Sequence, residues 1–258
     1  MLSFRNTNIF FIALLGALIY YDVQTGVVPW YAYVLLVILY SLIVFYGCIY
    51  LSANFFLKTY CSAKTSQKQI AISFDDGPAR EFTPELLSLL KNENIAAAFF
   101  CIGKNIAGNE PLLKQADEEG HLIGNHSYSH HAMFDLFSSR NMLGDMQQMD
   151  AEAQRVVGKK PRLFRPPYGV INPNLKSAIE KGGYATVGWS VRSFDTVAKE
   201  KDKLLAKITV AIRPGAVFLF HDHCRITLEV LPKFIKEVKE RGYEFVRLDK
   251  LLNLPPYA

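Results

Sequence analysis

Hydrophobic residues are distributed in two different ways along the chain. Up to residue 57 they run in long, nearly uncharged stretches; from residue 70 they come as short runs between amphipathic segments. The first stretch, 9–21, has 13 residues and no charge. As a helix it would reach roughly 20 Å, less than the ~30 Å hydrocarbon layer. Asp22, Gln24, Thr25, Gly26 and Pro29 then break it. It reads as a short span, a re-entrant segment or a signal-peptide core, although no small-x-small cleavage site follows. The second stretch, 30–57, has 28 residues, no charge, and tyrosines near both ends. That pattern predicts a tilted transmembrane helix with aromatic anchors.

Residues 58–69 are polar and read as a linker. Beyond them, apolar runs predict strands at 70–74, 96–101, 121–125, 163–165, 185–189, 216–220 and 244–247. Amphipathic segments predict helices at about 84–93, 110–119, 138–157, 173–181, 200–212 and 227–241. Pro84, Pro111 and Pro173 fall where a first helical turn tolerates proline, and Gly120, Gly158, Gly182 and Gly242 where helices should end. Strands alternating with helices imply a parallel sheet covered on both faces. Seven strands at this length predict an α/β fold, a distorted (β/α)7-type barrel, preceded by transmembrane helices.

Composition sharpens this division. The chain has 258 residues, is 50% hydrophobic and 21% charged, and has a mean hydropathy of +0.10. Arg5 and Asp22 are the only charges in residues 1–57. The net charge of +5 therefore resides in the body. It is spread out, without the basic, aromatic-studded face that nucleic-acid binding requires, so no nucleic-acid partner is expected. The four cysteines are scattered and form no C-x-x-C pair, which removes zinc-ribbon and thioredoxin-like readings.

The unusual polar residues follow predicted strands. Asp75 and Asp76 follow the first, His126 the third with His130 four residues on, Arg165 ends the fourth, Asp195 comes after the fifth, and His221 and Asp222 follow the sixth. In a parallel barrel, all carboxyl ends of strands open on one face, where active sites are built. A helical turn would bring the i, i+4 pair His126 and His130 onto one side. Two histidines and a carboxylate leave open positions on a bound metal, as in catalytic zinc and non-haem iron sites. Asp76-Gly77-Pro78 reads as a tight turn able to re-aim one of two adjacent carboxylates.

These residues sit in recognisable motifs. Ser73-Phe74-Asp75-Asp76-Gly77-Pro78, His126-Ser127-Tyr128-Ser129-His130, Arg165-Pro166-Pro167-Tyr168-Gly169 and Leu219-Phe220-His221 occur in that order. Together they resemble the NodB-type polysaccharide deacetylase family (carbohydrate esterase family 4) over about residues 68–250. The resemblance implies a distorted (β/α) barrel, with residues 70–258 as the catalytic domain and 1–57 as a membrane anchor. It implies Asp75 as catalytic base, with Asp76, His126 and His130 as metal ligands. Arg165 matches the residue that holds the base, Tyr168 an oxyanion donor through its backbone N–H, Leu219 a wall of the acetyl pocket, and His221 the general acid. The cofactor would be a divalent ion, with Zn2+ expected and Co2+, Fe2+ or Ni2+ compatible.

The family's D-x-x-D-W motif is only partly present. Arg192 and Thr196 stand where its first acid and its tryptophan would be, and Asp195 keeps the role of orienting Arg165 or His221. The expected reaction is removal of N-acetyl groups from a peptidoglycan- or chitin-like glycan. The altered motif leaves room for an amidohydrolase acting on a small non-sugar amide, and a non-catalytic glycan-binding scaffold is the reading from another class. Residues 9–57 would contact the lipid bilayer. A glycan substrate favours an extracytoplasmic domain, whereas Lys58, Lys64 and Lys68 after the second stretch favour the cytoplasmic side if both stretches span.

Overall fold

The computed structural model describes residues 2–258. Its first unit is a helical hairpin, α1 (Phe4–Thr25) and α2 (Trp30–Ile49). Helix α1 is longer than the apolar run that suggested it. The Ser3 side chain caps its start by accepting from the Asn6 N–H, and Gly26, in the left-handed region, ends it. Its 22 residues reach roughly 33 Å at 1.5 Å per residue, and the 20 of α2 roughly 30 Å. Both helices are long and apolar enough to cross a membrane. Tyr40 donates to Asn8 at 2.9 Å between them, and at the turn Tyr33 donates to Asp22 at 3.0 Å.

The body is a curled parallel sheet wrapped by helices. Its strands are β1 (Thr59–Tyr60), β2 (Gln69–Asp75), β3 (Ala98–Cys101), β4 (Leu122–Asn125), β5 (Leu163–Phe164), β6 (Ala185–Val187), β7 (Val191–Arg192), β8 (Val217–His221) and β9 (Glu244–Phe245). The order is β1-β6-β5-β4-β3-β2-β8-β7, with β9 also on β2. The covering helices are α3 (Thr83–Asn92), α4 (Gly103–Ile106), α5 (Glu110–Glu118), α6 (Ser139–Val157), α7 (Pro173–Gly182), α8 (Lys201–Val210), α9 (Arg225–Glu240) and α10 (Leu248–Leu252). Each predicted strand and helix of the body has a counterpart; β1, β7, α4 and α10 are too short to leave a periodic signal.

The segment expected to be a linker is part of the sheet. Strand β1 pairs with β6, Ser62 bridges Ala216, and the Ala63 N–H donates to Gly215 O at 2.9 Å. Residues 59–63 thus fill the gap between β6 and the start of β8. Polar side chains concealed this, because a two-residue strand is held by its backbone.

Alternation along β2 sorts the core. Ile70, Ile72 and Phe74 point outward to the helices, while Ala71, Ser73 and Asp75 point into the curl. Strand β8 follows suit, with Phe218 and Phe220 outward and Leu219 and His221 level with Ser73 and Asp75. Leu248, Leu251 and Leu252, all in α10, close the lower end of the interior. The hairpin packs on the flank of the body. Ile43, Val44 and Cys48 of α2 join Ile171, Leu175, Phe137 and Trp189 in one apolar cluster. The Ile171 N–H donates to Cys48 O, and the Phe4 N–H to Phe55 O, both at 2.9 Å.

Candidate active site

Period-two alternation places Asp75 inside the curl, and the next residue escapes that alternation. Asp76 has φ 79°, in the left-handed region, so its carboxylate turns to the mouth of the sheet. Gly77 is needed for space rather than for its φ, because a side chain there would collide with the Asp222 carboxylate. Asp222 is buried and accepts from Thr83 Oγ1 at 2.7 Å. Burial, added to by the Asp76 and Asp75 charges and opposed by the Thr83 bond, pushes its pKa up to about 7.

No helical turn forms at His126–His130. The two imidazoles converge through a loop in which Ser127 and His130 have positive φ. The loop is held from below. The Asn125 side chain accepts from the Ser127 N–H at 2.8 Å, Asp145 from the Tyr128 N–H at 2.7 Å, and Ser127 Oγ from the His130 N–H at 3.0 Å. His126 Nδ1 lies 2.8 Å from Arg165 O. A carbonyl partner requires that nitrogen to carry the proton, which leaves the Nε2 lone pair free.

Asp76 Oδ1 lies 3.5 Å from Nε2 of both His126 and His130. It is buried and has no hydrogen-bond partner. Ligand atoms of the three residues lie within 4.8 Å of one another. An orphaned carboxylate oxygen facing two imidazole nitrogens is a donor set that fits a divalent cation. Burial works against charge on His126, but the carboxylates of Asp75 and Asp76 outweigh it and raise its pKa. Burial also works against the Asp76 anion, and His126, His221 and His130 overcome it, holding Asp76 well below the usual carboxylate range.

Two paired groups flank this cluster. Arg165, 0% exposed, donates from Nη1 to Asp75 Oδ1 at 2.6 Å and to Ser73 Oγ at 2.9 Å, and from Nη2 to Gly188 O at 2.9 Å. Its guanidinium also lies over the Phe100 ring, 4.1 Å from the centroid. On the other side, His221 Nδ1 is 2.7 Å from Asp195 Oδ1, while Asp195 Oδ2 accepts from the His221 N–H and from Thr227 Oγ1. Of the two partners expected for Asp195, it therefore holds His221. Burial disfavours the His221 imidazolium, yet the bond to Asp195 and its charge raise the pKa above the ordinary histidine value.

A cavity of about 220 Å³ joins these groups, with Asp75, Asp76, His126, His130, Tyr168, Leu219 and His221 all in its wall. Tyr168 takes a left-handed φ of 58°, and its ring packs on His130. Trp189, Arg192 and Thr196 complete the rim. Trp189 also packs against the flank cluster. Ser73 lies in the first motif, and alternation with Asp75 points it into the curl; Asn125, Asp145 and Thr227 lie in no motif, because side chains that brace a site from elsewhere in the chain leave no pattern.

Comparison with known proteins agrees with this geometry. The family model described as polysaccharide deacetylase matches residues 62–187. The peptidoglycan-N-acetylglucosamine deacetylase PgdA of Listeria monocytogenes is 34% identical over 189 residues, 73% of this chain and 40% of that protein. The chain thus spans less than half of that relative. The peptidoglycan-N-acetylmuramic acid deacetylase PdaA of Bacillus subtilis is 32% identical over 192 residues, 73% of each chain. The solved structure of the Bc1960 peptidoglycan N-acetylglucosamine deacetylase superposes with a TM-score of 0.72 at 30% identity, covering 78% of this chain and 95% of that one. By sequence, by the curled parallel sheet and by the cluster at its mouth, the chain belongs to the polysaccharide deacetylase family.

Proposed function

We propose that the protein is a membrane-anchored, metal-dependent hydrolase that removes N-acetyl groups from a glycan of the peptidoglycan or chitin type. One observation carries this reading: a three-donor cation site opens into a single cavity between an Arg165-held carboxylate and an Asp195-held imidazole. Asp76, His126 and His130 would hold the ion, with Zn2+ the best match to a compact nitrogen and oxygen donor set. When bound, such an ion lowers the pKa of a water and polarises a carbonyl.

The side chains do the rest. Asp75 takes the proton of the attacking water; its other oxygen is fixed by Arg165 Nη1, so the free one faces the cavity. The Tyr168 backbone N–H serves the developing oxyanion. His221, held protonated through Asp195, gives its proton to the leaving amine. Leu219 packs against the acetyl methyl. Acetate release from N-acetylglucosamine oligomers by the zinc-loaded protein tests the reading. Asp75→Asn should lower kcat by about 10²–10⁴-fold, with zinc still bound; unchanged kcat would sink the assignment. Arg192 and Thr196 at the rim favour one second reading, a small non-sugar amide as substrate, which the same assay separates.

The anchor is α1 and α2 as a pair. With both helices spanning, Arg5, Lys58, Lys64 and Lys68 lie on the side of the body, and the 26–29 turn carries no basic residue. The positive-inside rule then puts the body on the cytoplasmic side, against the expectation drawn from access to an external wall. The catalytic unit in this reading starts with β1 rather than at residue 70.

A further inference from the structure

The reaction cavity stands against the membrane hairpin. Cys48, one residue before the end of α2, accepts from Ile171 on the loop that carries Tyr168. Leu51, just beyond α2, lies against Gly169 and Gly188, the neighbours of Tyr168 and Trp189. Apolar side chains of α2 remain exposed up to Ile49, as does Tyr50 just beyond it. The lipid-facing surface therefore ends within about a helical turn of the residues that back the cavity wall.

Exposed apolar residues of the body point the same way. Beyond residue 50 they are Met133, Leu136, Tyr168, Phe194, Val197 and Val210. All but Val210 lie on loops that follow β4, β5 and β7, at the carboxyl ends of strands. Leu136, 73% exposed, sits beside Phe137, which packs into the cluster shared with α2. A one-sided apolar rim continuous with a lipid-facing hairpin is what a surface held at a bilayer presents.

The cavity also contains a cation with no acid to pair with. Arg192 lies over the rings of Trp189 and Phe194, and no carboxylate among the described residues is within ion-pair distance of it. Lys207 also lies over the Phe194 ring, 3.7 Å from its centroid. A guanidinium so placed suits a phosphate group on the substrate.

We infer that the substrate is an N-acetylated saccharide joined through phosphate to a lipid in the bilayer, deacetylated at the membrane surface with its phosphate on Arg192. This rests on the deacetylase reading above and names its substrate class. Soluble polymer needs no apolar rim, and a free sugar offers Arg192 no counter-charge.

The test uses the full chain, zinc-loaded, in nanodiscs. Three probes are compared by acetate release: triacetylchitotriose, N-acetylglucosamine 1-phosphate, and polyprenyl diphospho-N-acetylglucosamine in the same nanodisc. Confinement to one surface should raise kcat/KM for the lipid-linked probe over triacetylchitotriose by about 100-fold or more. Arg192→Gln should shrink that preference about tenfold, the size of one charge-assisted hydrogen bond. Equal kcat/KM for the lipid-linked and soluble probes, or an undiminished preference in Arg192→Gln, overturns the inference and leaves the deacetylase reading standing. Acetate from none of the probes overturns that reading, and the inference with it. A second readout needs no turnover. The chain has two tryptophans, Trp30 and Trp189. In Trp30→Phe, lipids brominated near the headgroup should quench Trp189; fluorescence equal to that in unbrominated lipid overturns the placement.

Discussion

Among single residues, Asp195 and His121 show how burial and partners set a proton's place. His221 has a raised pKa because Asp195 offsets the cost of burying the imidazolium. If His221 acts as the acid, activity falls as pH rises through that raised value. Asp195→Asn removes the charge, lowers the His221 pKa, and should move the alkaline limb of the kcat profile to lower pH; a limb that stays in place would assign it to another group. His121 is the opposite case. Its Nδ1 accepts from the Ala97 N–H at 3.0 Å, and burial lowers its pKa from 6.5 to about 4. The unfolded chain then binds the proton more readily, so stability is full above about pH 6.5 and is lost as pH falls towards 4. The loss is on the order of 3 kcal/mol. His121→Asn, which keeps an acceptor for Ala97, should flatten the acid side of the stability curve in denaturant titrations; an unchanged slope would remove His121 as its source.

Among elements, what could be read in the sequence depended on where each contact partner lies along the chain. Motif residues at strand ends were legible because a strand fixes both the side and the level of the residue that ends it, as with Asp75 and His221. The i, i+4 spacing of His126 and His130 pointed to one shared side but not to the loop that achieves it, whose shape is set by Asn125 and Asp145, the latter 15 residues beyond His130. Helix α1 exceeds the apolar run at both ends: Asp22, Gln24 and Thr25, expected to break it, continue the helix to its end at Gly26, and the first turn, capped by Ser3, takes in Arg5, Asn6, Thr7 and Asn8. That length matters, since two full spans bring the chain back to the side it started from. Reporters fused before α1 and after residue 258 should give the same topology signal, the cytoplasmic one. Opposite signals would mean that only one helix spans.

For the molecule as a whole, the site is an addition to a core that does not need it. The three cation donors lie at strand ends and in loops, while the apolar clusters lie outside, inside and beside the sheet. Chelation should abolish acetate release and leave far-UV circular dichroism unchanged, and added zinc should restore activity. Collapse of the fold on chelation would make the ion structural. The position of β1 bears on how the chain is made. Residues 59–63 leave the ribosome directly after the hairpin, yet their partners are β6 and the start of β8, more than a hundred residues later. The earliest strand synthesised must wait behind the helical hairpin until nearly the last one arrives. Closure of the sheet is therefore a late event in biosynthesis, and the reaction cavity, whose wall includes His221 from β8, cannot form on a nascent chain that stops short of it.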